Sequence, residues 1–551
     1  MTTANPVHQL ADEILDLSFT ADPVMGTILG VPGHDDTLGD RTEQAQQALR
    51  AAALDVAARA DAVDPSGLTA DDAVTRAAVA HHARQLATEV DVRMVEYTIT
   101  DLFVGPAAEL LSILPMIGLA DAAEARSYLN RLRAVPAYLE TVAERHRAGA
   151  AAGRVPVARL VRAAADHVDR YLATDEDVLA RPTLDDAAFT EERAQVLADV
   201  VRPAFARYRD FLRDEMLAHG RDDEHVGLCW LPGGDEMYTG LARVHTTTER
   251  TPDELHQTGL DVIARLTEEY AEIGSRVFGT RDRAAIFERM TSDPAMRWRD
   301  ANDLLDSARE AVTRAEAAVP AWFGRLASSQ CKVEPVPAVE APGAPAAYYL
   351  WPSMDGRRPG IYFANTDRAQ ERDRFVSEVM AFHEAVPGHH FQIALAQELT
   401  HLPLFRRVVT PNAYAEGWGL YTERLADEMG LYSSEVDRLG MLAMDSMRAG
   451  RLVVDTGMHA KGWSRAQAVA FLRDNTPMSD LEIGNEIDRY IAYPGQALAY
   501  MVGRLEIQRM RAEAQARLGE RFDIRAFHDV VLTNGALPLA VLDEVVRAWQ
   551  A

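Results

Sequence analysis

Long stretches rich in alanine, leucine, arginine and glutamate dominate this chain, and their apolar residues recur at three- and four-residue steps. That spacing puts apolar side chains on one face of an α-helix and charges on the other. Residues 191–217 and 255–277 are the longest clear cases. Helix starts carry matching signals. Thr251-Pro-Asp-Glu254 combines a capping threonine, a proline in the first turn and a capping-box glutamate. Ser464-Arg-Ala-Gln467 repeats the pattern with glutamine, and Thr190-Glu-Glu reads as a third start. The chain is therefore expected to be mainly α-helical. Looser loops fall at residues 22–40 and 232–236, and the organisation reads as a helical half over 1–240 and a second half over 241–551, joined as one structural unit.

One region breaks the helical pattern. From Val333 the sequence Val-Glu-Pro-Val-Pro-Ala-Val-Glu-Ala-Pro-Gly-Ala-Pro is too proline-rich for a helix. Ala347-Tyr-Tyr-Leu-Trp351 and Gly360-Ile-Tyr-Phe-Ala-Asn365 read as short strands, so a small β-sheet is expected there. The strand bearing Tyr362 can be an edge on which an extended peptide adds, or part of a structural hairpin.

Composition narrows the partners. Among 551 residues, 84 acidic against 57 basic side chains give a net charge of −27. That surface disfavours nucleic acid and anionic lipid, which need clustered positive charge. The 48% hydrophobic content suffices for large cores, yet no stretch approaches the roughly 18 apolar residues of a membrane helix. Cys229 and Cys331 are the only cysteines, which excludes a disulfide framework and a thiolate-only zinc site and leaves one bridge open. The opening Met-Thr-Thr-Ala-Asn-Pro lacks a basic segment followed by an apolar run, so a cytoplasmic location is expected.

The chemistry concentrates after the strands. A helical run reaches His383-Glu384-Ala-Val-Pro387-Gly388-His389-His390. Its His-Glu matches the opening of HExxH, in which the second histidine lies four residues on and reaches the same zinc ion. Here that position is Pro387, which cannot ligate. His390, seven residues on, returns to the same helical face but about 10 Å further along the axis. Alternatively, Pro387-Gly388 forms a two-residue excursion that brings His389 into place, the preferred reading. Downstream, Asn412-Ala-Tyr-Ala-Glu416-Gly-Trp-Gly-Leu-Tyr-Thr-Glu423 offers Glu416 as a third ligand. Glu423, on the same face, would orient a ligating histidine.

The expected cofactor is therefore one zinc ion, with manganese or cobalt as alternatives for such donors. Glu384, beside the first ligand, takes the place of a general base. An oxyanion donor comes from His459, Tyr490, Tyr493 or Tyr500, and Arg448, Arg451 and Arg489 are candidate carboxylate clamps.

Taken together, His383-Glu-Ala-Val-Pro-Gly-His-His390, Glu416-Gly-Trp-Gly-Leu-Tyr421, Arg451-Leu-Val-Val-Asp455-Thr-Gly-Met-His459 and Arg489-Tyr-Ile-Ala-Tyr-Pro-Gly-Gln496 resemble the motifs of the bacterial domain-of-unknown-function family 885. That family in turn resembles the helical zinc peptidases of the gluzincin type. The resemblance implies a two-lobed helical fold with a deep central cleft and peptidase-like chemistry. It also puts His459 and Tyr493 first among the oxyanion donors. The function expected is a zinc-dependent hydrolase of short peptides or peptide-like amides, monomeric or homodimeric. The alternatives are a processing enzyme for a small metabolite and a non-catalytic peptide-binding protein on a peptidase scaffold.

Overall fold

The computed structural model describes residues 5–337, 341, 345–354, 356 and 358–550. Part of the proline-rich run, residues 338–340 and 342–344, lies outside them. The chain is mainly α-helical with one small sheet. Seven helices carry the site residues: α1 (Gly234–Thr246), α2 (Ser377–Glu384), α3 (His389–Glu398), α4 (Asn412–Glu428), α5 (Glu435–Lys461), α6 (Asp480–Ala492) and α7 (Ala499–Leu518). No described helix is long and apolar enough to cross a membrane.

The capping boxes at Thr251/Glu254 and Ser464/Gln467 form as the sequence predicts, with a third at Ser479/Glu482. Thr190 is not a cap. Its helix starts at Ala187, because the Asp186 carboxylate accepts from the Ala188 and Phe189 amides and the apolar Phe189 ring is buried in the first turn. From there helical backbone continues through 219, with two wide turns at Leu197–Val201 and Leu212–Met216. Pro203 sits just past the first of these. Proline has no N–H for the preceding turn and its ring crowds a carbonyl there, so the turn widens. The loop expected over 22–40 contains a helix, Pro23–Leu29, which Asp22 caps and Pro23 starts. Likewise, α1 begins within the expected 232–236 loop.

The sheet has strands β1 (Cys331–Pro335), β2 (Ala347–Leu350) and β3 (Gly360–Ala364) in the order β1-β3-β2. β1 runs parallel to β3 and β2 antiparallel, with Val333 and Tyr349 flanking Tyr362. This corrects the edge-strand reading: β3 is the central strand, both of its hydrogen-bonding edges are taken, and no peptide can add to it. β1, which the sequence reading placed in no strand, supplies one of the two edges. Cys229 and Cys331 are both free thiols.

The largest core draws residues from Leu10 to Val546 and so crosses residue 240, while a second packs helices between Val24 and Met216. Through the middle runs α5, buried at nearly every position from Leu439 to His459. A helix enclosed on all sides must find a partner for each polar side chain it carries. Ser446 meets the Tyr270 hydroxyl, Asp455 accepts from Tyr238 and the Gly495 amide, and Thr456 meets His256.

Asp445 on α5 is fully buried between the guanidinium groups of Arg424 and Arg504. Burial alone would raise its carboxyl, but the two arginines outweigh it and hold the group below its ordinary value of 3.8. Asp445→Asn, which leaves Arg504 without a carboxylate and Arg424 with Glu269 alone, is expected to destabilise the fold by about 3–5 kcal/mol in denaturant unfolding at neutral pH. Because the folded-state carboxyl is depressed, that contribution is complete above the ordinary value and lost as pH falls below it, so mutant and parent should converge in acid.

Candidate metal centre

Three side chains from three helices converge. His383 lies in the last turn of α2, His389 opens α3 and Glu416 sits in the second turn of α4. One donor atom from each falls within 4.8 Å of the others. His389 Nε2 is 3.3 Å from Glu416 Oε2, and His383 Nε2 is 3.6 Å from the same oxygen. The two imidazoles meet edge to face at 4.7 Å.

The Pro-Gly excursion makes this possible. Residues 385–388 leave the helix, and α3 restarts at His389. The Trp418 indole donates to the Pro387 carbonyl at 2.9 Å, and the Thr422 hydroxyl to the Phe382 carbonyl at 3.2 Å, so α4 clamps the break from one side. Gly388 must stay small, since a Cβ there would overlap the His383 carbonyl. His390 faces away: its Nδ1 pairs with the Tyr349 hydroxyl and its Nε2 with the Ser329 carbonyl, both at 2.9 Å. Of the two alternatives, the structure brings His389 to the group and engages both nitrogens of His390 elsewhere.

Glu423, two helical turns beyond Glu416, accepts from His383 Nδ1 at 2.8 Å and is completely buried. That hydrogen bond keeps a proton on Nδ1 and turns Nε2 toward Glu416 and His389, so Nε2 is the atom that would ligate a metal. Burial would lower the His383 imidazole, yet Glu416 and Glu423 together raise it to about 10. Burial likewise would raise Glu416, and the two histidines instead hold it well below the usual carboxylate range. Two nitrogens and a carboxylate oxygen at this spacing, with a carboxylate behind one imidazole, fit a divalent transition metal such as zinc.

Glu384 ends α2, half-buried, and makes no hydrogen bond or ion pair among the described residues. Its charge is felt at His383 and at Tyr362 of β3. Tyr362 is 2% exposed, and its hydroxyl has no partner among the described residues. The Tyr500 ring lies along His383 with centroids 6.5 Å apart.

Two expected donors do not reach the group. His459 accepts from the Leu228 amide through Nδ1 at 3.1 Å and donates through Nε2 to the Tyr490 carbonyl at 3.0 Å. Both nitrogens are used, and burial holds the imidazole down at about 4. Its role is to tie α5 to α6. Tyr493 packs against His245 and Phe103. The Tyr490 hydroxyl is shared between Arg451 and Glu486. His245 is 5% exposed and bonded to Asn412 in the first turn of α4.

Sequence reasoning passed over Gly419. A Cβ there would stand 2.7 Å from His383 Cε1 and 2.8 Å from Nε2. The signal available was its place in Glu416-Gly-Trp-Gly-Leu, one turn from a proposed ligand and facing the same side.

A mostly helical protein with a two-histidine, one-carboxylate donor group is the class that fold and site define. The chain belongs to the family of bacterial proteins of unknown function (DUF885), whose model matches residues 23–546. It is similar to the crystal structure of a candidate lipoprotein from Colwellia psychrerythraea, 27% identical over 98% of each chain with a TM-score of 0.90. It shares its fold with a candidate lipoprotein of unknown function from Shewanella oneidensis, 17% identical over 98% of this chain and 99% of that one, TM-score 0.78. No curated protein matches it.

Gly419→Ala is expected to push the His383 ring out of register and weaken zinc binding by about tenfold or more, with helical content retained. Competition with a chromophoric chelator measures this. Parental affinity in the variant would remove His383 from the donor set.

Proposed function

We propose that the protein is a zinc-dependent hydrolase of short peptides or peptide-like amides, related in chemistry to the helical gluzincin peptidases. One observation carries the reading: a carboxylate unpaired among the described residues, Glu384, stands directly beside a histidine that belongs to a metal-donor group. A structural histidine cluster has no use for an unpartnered acid at its edge, whereas hydrolysis needs a base there.

His383, His389 and Glu416 would hold the ion, with manganese or cobalt as chemically similar occupants. When bound, it would supply Lewis acidity and lower the pKa of a water towards neutrality. Glu384 would take a proton from a water as its oxygen bonds to the amide carbon, and would return it to the nitrogen as the C–N bond breaks, so the carboxylate ends as it began. Glu423 keeps its hydrogen bond to His383 Nδ1 throughout, which holds the imidazole oriented. The Tyr362 hydroxyl, without a partner among the described residues and within reach of the Glu384 charge, would be the donor to the developing oxyanion. Tyr500, alongside His383, lines the approach.

Glu384→Gln is expected to lower turnover of a peptide substrate by about 10²–10⁴-fold while metal content stays at the parental level. His383→Ala is expected to lose the metal as well. Paired assays of hydrolysis and of metal by elemental analysis separate the two roles. Full activity in Glu384→Gln would remove it as the base.

A further inference from the structure

Beside the metal-donor group, basic side chains outnumber the acids that neutralise them. Arg448 and Arg451 project from α5 and Arg489 from α6, and all three meet at the ring of Tyr500 on α7. The Arg451 guanidinium carbon lies 4.5 Å from the ring centroid and that of Arg448 5.7 Å, while Arg489 Nη2 donates to the Tyr500 hydroxyl at 3.3 Å. Two carboxylates face them. Glu486 accepts from Arg451 at 2.8 Å and from Arg489 at 3.5 Å, and Glu423 stands 4.0 Å from Arg448 while bonded to His383. Three guanidinium groups against two carboxylates leave one positive charge.

That excess is enclosed. Arg451 is 3% and Arg448 6% exposed, yet Arg451 Nη1 and Arg448 Nε are buried with no acceptor among the described residues. Buried guanidinium N–H groups without acceptors are destabilising, and a planar carboxylate is the anion whose geometry satisfies them. Arg489, a quarter exposed, connects the cluster to solvent. The single excess charge matches a monoanion.

We propose that Arg448, Arg451 and Arg489 around Tyr500 form a carboxylate-binding subsite, so that the substrates are peptides or N-acyl amino acids with a free carboxylate near the scissile amide. This rests on the hydrolase reading above and names its substrate class. The 6.5 Å from His383 to Tyr500 and the 4.5 Å from Tyr500 to Arg451 cap the span at about 11 Å, the reach of about three extended residues. Cleavage therefore falls within three residues of the carboxylate, which makes the activity an exopeptidase one at the C-terminal end.

The test titrates the full-length protein carrying Glu384→Gln, so that ligand is not consumed, with acetyl-trialanine as its free acid and as its C-terminal amide. The free acid is expected to bind about tenfold or more tightly than the amide. Adding Arg489→Gln should bring the two within about twofold, and Arg489→Lys should restore part of the difference. Circular dichroism checks that each variant is folded. Discrimination that survives Arg489→Gln overturns the proposal, as does equal binding of acid and amide or binding of neither up to about 10 mM. Wild-type protein assayed with the same pair separates this from the hydrolase reading. Acid-selective binding without hydrolysis retires the hydrolase and leaves the subsite. Equal hydrolysis of both peptides retires the subsite and leaves the hydrolase.

Discussion

The close approach of α4 to its neighbours is the constraint on which the centre of this molecule depends. Gly417 of α4 packs directly on Gly503 of α7, near enough that a Cβ on either would fall onto the other backbone. Two residues on, Gly419 faces the His383 ring with no room for a methyl group. Between and beyond these contacts the same helix presents Glu416, Trp418, Thr422 and Glu423. Each reaches across to the interrupted α2–α3 segment because the glycines let the backbones come close. Without that approach, Glu416 would not meet the two histidines, nor Glu423 the far side of His383.

The enclosed helix α5 is the second organising element. Its polar side chains meet side chains from α1, α4, α6, α7 and the helix at 252–277, so it joins distant parts of the sequence through polar contacts inside an apolar core. Such contacts are costly unless complete, which makes the arrangement all-or-none. The exceptions among the described residues are the unpartnered nitrogens of Arg448 and Arg451, two side chains that flank Tyr500, with Arg448 4.0 Å from Glu423. Polar completeness elsewhere in α5 gives those two positions their meaning.

Much of this was readable from residues alone. The helical character, the capping boxes at Thr251 and Ser464, and the two short strands around Tyr349 and Tyr362 follow from local propensity and spacing. The grouping of His383, Glu416 and Glu423 was legible because a seven-residue step keeps two carboxylates on one helical face. Choosing between His389 and His390 was not legible. It depends on how four residues leave one helix and enter the next, which Gly388 determines from within the motif and Trp418 from outside it. The central position of β3 was hidden as well, because strand order is set by what pairs across space and β1 overlaps the start of the proline-rich run. His459 looked chemically available in sequence, yet Leu228 and Tyr490 occupy both of its nitrogens. Thr190 carried a capping pattern, and Asp186 outcompeted it because Phe189 needed to be buried.

By itself, then, the sequence determined the class of structure and the chemical inventory: helices from periodicity, a sheet where proline and aromatics interrupt them, and a histidine–carboxylate donor set in a chain with only two cysteines. Tertiary structure alone decided which members of that inventory meet. Periodicity and caps are local, encoded within a turn or two of backbone. The pairing of His389 with Glu416, the neutralisation of His459 and the crowding of three arginines around Tyr500 depend on contacts between residues tens to hundreds of positions apart, and only packing against close-fitting glycines and a buried polar helix brings those together.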